Sequence, residues 1–136
     1  MDGLWGGTEA IEKAVKWNSA PFNGSWPNSI FIAQDQVAIE SVCLDFQRAE
    51  ALVNPAFKNR PLFPAVDDYL HQAADKSNWA QGIIYDPDAD GVVISTLGVP
   101  EHWNNSTDKQ YTLNLSSSGN GIDLVSVPAK LVKHNR

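Results

Sequence analysis

The chain is poor in the residues from which most catalytic and binding motifs are made. It has one cysteine, Cys43, in 136 residues. A single cysteine excludes an internal disulfide and any all-cysteine zinc or iron–sulfur site. No apolar run reaches the roughly 18 residues that a membrane helix needs. Ten Lys and Arg are scattered among sixteen Asp and Glu, for a net charge of -6. Nucleic-acid affinity rests on clustered cations, and anionic lipid repels an acidic surface. Neither nucleic acid nor membrane is therefore an expected partner. The chain contains no G-x-S-x-G, no H-E-x-x-H and no phosphate loop with its lysine. Met1-Asp2-Gly3 opens without a basic, apolar leader, so the expected location is the cytoplasm, with no signal peptide.

What is present suits one domain over residues 1–136, with 43% hydrophobic residues, five Trp and many Gly and Pro turns. Thr8 could cap a short helix to Trp17, helped by the pairs Glu9–Lys13 and Glu12–Lys16. Ile30-Phe31-Ile32-Ala33 reads as a short buried strand. Asp35 then stands at a helix N-cap. That helix is expected from Gln36 to Val53, with Ile39, Val42, Cys43, Phe46, Ala49 and Val53 on one apolar face. Asn54-Pro55 ends it. A second helix is expected from Asp67 to Asp75, with Val66, Tyr69, Leu70, Ala73 and Ala74 inward. Residues 82–85 and 92–97 are β-rich and joined by an acidic stretch, which predicts a hairpin. Residues 111–115 and 122–127 read as further strands, with a turn over 116–120. The fold class expected is α/β or α+β: a small mixed sheet covered by two main helices, with a β-hairpin.

Several stretches taken together resemble an uncharacterised family, domain of unknown function 362. They are Asp2-Gly3-Leu4-Trp5-Gly6-Gly7, Trp26-Pro27-Asn28-Ser29 and Gln34 to Val42. Val66 to Ala74, Tyr85-Asp86-Pro87 with Asp90-Gly91, Leu97-Gly98-Val99, Glu101 to Asn105 and Asp108 to Tyr111 complete the set. The resemblance covers most of residues 2–122. It implies that the chain corresponds to the C-terminal part of a longer protein, with an edge that a second copy would cover as a homodimer. The departures are Gln36 where the family has Pro, and Glu40 where it often has Asp. The ferredoxin-type cysteines of some members and the export signals of many are missing. The family has no established activity, so the resemblance implies an architecture rather than a reaction.

Three groups of residues carry chemistry. Asp86, Asp88 and Asp90 before Gly91 begin like a calcium loop, so Ca²⁺ or another divalent cation is the candidate cofactor. The twelfth position is Leu97 rather than Glu, which excludes an EF-hand and leaves a hairpin turn as the alternative. Asp67 and Asp68 lie one helical turn before His71, where either could orient the ring for acid–base work or simply cap the helix. Glu101, His102, Trp103, Asn104 and Asn105 form a polar, aromatic run that could ligate an ion or bind a small polar ligand. Trp103 could equally anchor the loop to the core. Trp26, beside Asn and Pro, is a further candidate binding aromatic. Two functions follow. One is a non-catalytic binding or self-assembly module. The other is a metal-assisted hydrolase or acid–base enzyme using His71, His102 and the nearby aspartates.

Overall fold

The computed structural model describes residues 2–3, 6–7, 13–57 and 64–129. Strand β1 (Asp2–Gly3) pairs antiparallel with β4 (Ser29–Ile30), and β2 (Gly6–Gly7) with β3 (Ala14–Val15). Among the described residues three α-helices follow: α1 (Gln36–Val53), α2 (Pro64–Ala74) and the single turn α3 (Thr112–Leu115). The chain is thus a mixed helix–strand protein. Among the described residues the strands are two-residue pairs, and the expected sheet covered by helices is not formed.

Helix α1 is the organising element, and its bounds match the sequence pattern. Asp35 caps it: Val37 N and Ala38 N donate to Asp35 Oδ1 at 2.9 and 2.8 Å. Asn54 ends it in extended backbone before Pro55, which disfavours helix in the preceding residue. Its middle is buried all round, from Ser41 to Phe46. A single apolar face was expected, and the structure has two. On one side Phe46 and Val42 join Phe22, Tyr111 and Ile122. On the other, Val37 and Leu44 join Leu70 of α2. Phe46 is the hub of the first cluster, with ring centroids 5.0 Å from Trp103, 5.6 Å from Phe31 and 5.8 Å from Phe22. Edge-on and tilted arrangements of this kind suit the aromatic quadrupole. The far end of the expected face is wrong: Val53 is exposed, because the chain turns away at Asn54.

Elsewhere the backbone is irregular, and carboxylates hold it. Glu50 is fully buried and accepts from Asn18 N and Ser19 N, both at 2.7 Å, and from Asn54 Nδ2. This ties the Trp17–Ser25 turn to the end of α1. Asp35 Oδ2 accepts from Val99 N at 2.9 Å, so the cap of α1 also anchors residues 97–100. Glu101 accepts from Thr112 N at 2.6 Å, from the Thr112 hydroxyl and from Ile122 N at 2.7 Å. A buried amide without a partner is costly. Where no sheet supplies partners, these side chains do.

That arrangement explains the other departures from expectation. The helix expected to reach Trp17 gives way to β3 and a Trp17–Ser25 bridge; residues 8–12 lie outside the described residues. Ile30 and Ile32 are exposed, and only Phe31 of that run packs inward. Of residues 111–115, Thr112–Leu115 form α3 instead of a strand, because Glu101 captures Thr112 N and Asn114 Oδ1 accepts from Tyr111 N at 3.1 Å. Residues 82–85 and 92–97 share one cross-bond, Ile94 N to Tyr85 O at 2.9 Å, and are not strands. Residues 122–127 run without strand pairing, and α2 starts at Pro64, three residues before the expected position. Among the described residues no helix is long and apolar enough to cross a membrane.

Candidate functional site

The polar centre of the molecule is built on Asp45, which lies on α1 between the buried Leu44 and Phe46. Its carboxylate receives three groups from two segments. Tyr111 Oη donates to Oδ2 at 2.8 Å, and Trp103 N donates to the same oxygen at 3.0 Å. His102 Nδ1 lies 2.7 Å from Oδ1. The other ring nitrogen, Nε2, lies 3.1 Å from Asp67 Oδ1 on α2. Asp67 is in turn held by Arg48 of α1 through two bonds of 3.0 and 2.9 Å. The result is a continuous chain from Tyr111 through Asp45, His102 and Asp67 to Arg48. A neutral imidazole satisfies one of the two facing carboxylates, an imidazolium both.

The electrostatics follow from burial and pairing. Burial, with the Asp45 carboxylate alongside, pushes the Tyr111 phenol far above its ordinary range, so the hydroxyl stays a donor. The Arg48 guanidinium holds the Asp67 carboxyl below its usual value. Burial pushes the Cys43 thiol up to about 11, which removes it as a nucleophile near neutrality. The Asp67 shift gives a signed pH prediction. A carboxyl with a depressed folded pKa adds stability above its unfolded value of about 3.9, and that stability is lost as pH falls through the folded value. Asp67→Asn should therefore lower stability at pH 7 by about 1 kcal/mol or less, since the pair is partly solvated. The variant should also lose less stability than the parent on acidification below about pH 4. Urea melts at pH 7 and pH 3 check both statements. Equal acid sensitivity of the two proteins would contradict them.

Of the expected site residues, the structure brings together His102 and Asp67, with Trp103 beside them. His71 does not join: it is exposed, and among the described residues its ring meets no carboxylate. Asp68 is exposed and outside the network. Glu101 is a backbone staple, as described above. Trp103 packs edge-on against Phe46 with Lys109 Nζ 5.4 Å above its ring, so it anchors the loop. Asn104 Oδ1 accepts from Asn105 N and Gln110 N, and Asn105 Oδ1 from Thr107 N and Asp108 N. Both amides thus shape their own loop. Trp26 is half-buried. Asp86 accepts from Asp90 N and Gly91 N at 3.2 and 3.0 Å, and Asp90 from Val92 N at 2.8 Å. With Gly91 at φ 84°, the acidic stretch is folded as an Asx-rich turn. Among the described residues no group of three or more His, Cys, Asp or Glu converges as a cation site. Asp45, Arg48 and Tyr111 were not expected. The signal for Asp45 was a lone carboxylate inside the apolar run Val42 to Phe46.

A second feature lies on the far side of α2. Tyr69, Gln72, Ala73, Trp79, Ile83 and Tyr85, with Ala80 and Leu97, line an open groove of about 400 Å³. The groove floor is fixed by its own contacts. Trp79 Nε1 donates to Gln72 O, and the Trp79 and Tyr85 rings meet edge-on at 6.4 Å. Leu97 N donates to Ala73 O and Lys76 N to Ser95 O, both within 3.0 Å. Tyr69 was expected inward, yet it is 60% exposed and Ile83 59%. Ile84, Val92 and Val93, outside that lining, are exposed too. Comparison of the chain with protein-family models, with curated proteins and with solved structures finds no match.

Proposed function

We propose that this chain is a non-catalytic binding module whose contact surface is the apolar groove beside α2. The supporting observation is the groove itself, whose lining includes the large exposed side chains Tyr69, Ile83 and Tyr85. Single exposed apolar residues are ordinary, but a contiguous set around a groove marks an interaction surface. A cover for it, whether a second copy as the family resemblance implies or a separate partner, would remove that surface from water. The polar centre supports the same reading from the other direction. Every acceptor of Asp45 and Asp67 is engaged inside the chain, and His102 presents no ring nitrogen that is free of a carboxylate.

The test is whether these side chains belong to the fold or to a contact. Tyr69→Asn with Ile83→Asn should change stability by no more than about 0.5 kcal/mol, as exposed substitutions do. A drop of about 3 kcal/mol in urea melts, the size of a core truncation, would overturn the reading.

One observation favours the enzyme reading: the 2.7 Å contact between buried Asp45 and His102 Nδ1, which is how a carboxylate orients a general base. In that reading Asp67 would have to release Nε2 to a substrate. His102→Asn separates the two. It would abolish acid–base activity, and it would leave binding at the groove unchanged.

A further inference from the structure

We propose that the groove beside α2 takes a basic, apolar segment of another protein, with large apolar side chains flanked by lysine or arginine. The proposal rests on the binding-module reading and names the partner of that surface. The floor selects for apolar groups. The charge around it selects for cations. Residues 64–99 contain six aspartates and one cation of the Lys/Arg type, Lys76. Asp67 is neutralised by Arg48. That leaves Asp68, Asp75, Asp86, Asp88 and Asp90, four of them exposed and Asp86 partly so. Asp68 precedes the lining residue Tyr69, and Asp86 follows the lining residue Tyr85. The chain positions next to two aromatic lining residues are thus acidic. The lining also holds the Trp79 and Tyr85 rings, set edge-on to each other, a side-chain type that attracts a guanidinium or ammonium.

The same charges argue against a second copy as the cover. A two-fold contact places one patch on its own image. It would set aspartate against aspartate on chains that each carry -6. Like-charge juxtaposition across an interface costs several kcal/mol. A cationic partner turns that repulsion into attraction.

The experiment uses the full chain and two synthetic peptides, one of leucine and lysine, the other with glutamate at each lysine position. Binding is read by Trp fluorescence and calorimetry. The Leu/Lys peptide should bind at least about tenfold more tightly than the Leu/Glu peptide. Its affinity should fall as salt rises. Asp68→Asn with Asp88→Asn should weaken it by about fivefold, since rim charges contribute modestly. Ile83→Asn should remove saturable binding while the melting temperature is unchanged. Equal affinity for both peptides would overturn the proposal. So would binding of the Leu/Lys peptide that ignores Ile83→Asn, because that is attraction to bulk charge. A dimer seen by sedimentation and broken by Ile83→Asn would overturn the basic partner while leaving the binding-module reading intact. Binding of neither peptide, with a monomer throughout, would overturn both.

Discussion

Asp45→Ala should destabilise the protein by about 3–5 kcal/mol, the range for removing one partner of a buried charged network. The substitution removes the acceptor of Tyr111 Oη and Trp103 N and the partner of His102 at once. Those groups belong to two stretches, the loop holding His102 and Trp103 and the one holding Tyr111, that reach α1 from the C-terminal half. Each buried donor left without a partner costs about 1–3 kcal/mol. Tyr111→Phe removes one donor and keeps the ring in the aromatic cluster, so about 1 kcal/mol is expected. Denaturant midpoints for the two variants should therefore differ several-fold in their shift. If Asp45→Ala costs no more than Tyr111→Phe, the carboxylate is not the joint described here.

Glu50→Ala should have a comparable effect, about 3–5 kcal/mol, with a different spatial signature. Glu50 is 0% exposed and holds two consecutive amides, Asn18 N and Ser19 N, together with the Asn54 side chain. Without it the Trp17–Ser25 turn loses its attachment to α1, and Phe22 loses its guide into the core beside Phe46. Amide hydrogen exchange should accelerate at residues 17–25 and stay slow in the middle of α1. Glu50→Gln keeps one acceptor oxygen but turns an amide group toward a backbone N–H, so a smaller loss of about 2 kcal/mol is expected. Uniform acceleration along the chain would mean global destabilisation, and the local latch would be wrong.

These two residues also show what was legible before the structure. Helix α1 was readable to its ends because its signals are local: Asp35 as cap, a 3–4 apolar spacing, and Asn54-Pro55 as stop. The segments read as strands were not, because β-rich residues form strands only when a partner is present. Residues 82–85 and 92–97 have the composition of a hairpin but share one cross-bond among the described residues. Residues 111–115 alternate like a strand, and a carboxylate eleven positions before Thr112, Glu101, captures Thr112 N and makes a helical turn. The site was half legible. His102, Trp103 and Asp67 were singled out for their chemistry, and they do meet. Their joint, Asp45, is 57 residues from His102 along the chain, so spacing carries no trace of it. His71 illustrates the converse: its spacing from Asp67 suits a helical pair, but Arg48 and His102 take that carboxylate from other elements.

The surface and the polar centre make different demands on the same chain. Asp45, Glu50, Asp35 and Glu101 take the place of strand partners for irregular backbone. The exposed apolar groups beside α2 are then surplus to the fold. The most direct test is to map, by amide chemical shifts, where the Leu/Lys peptide acts on the labelled full chain. The account predicts shifts confined to residues 68–97, with 101–105 and Tyr111 unmoved. Shifts centred on His102 and its neighbours, with the groove silent, would contradict it and return the function to the polar centre.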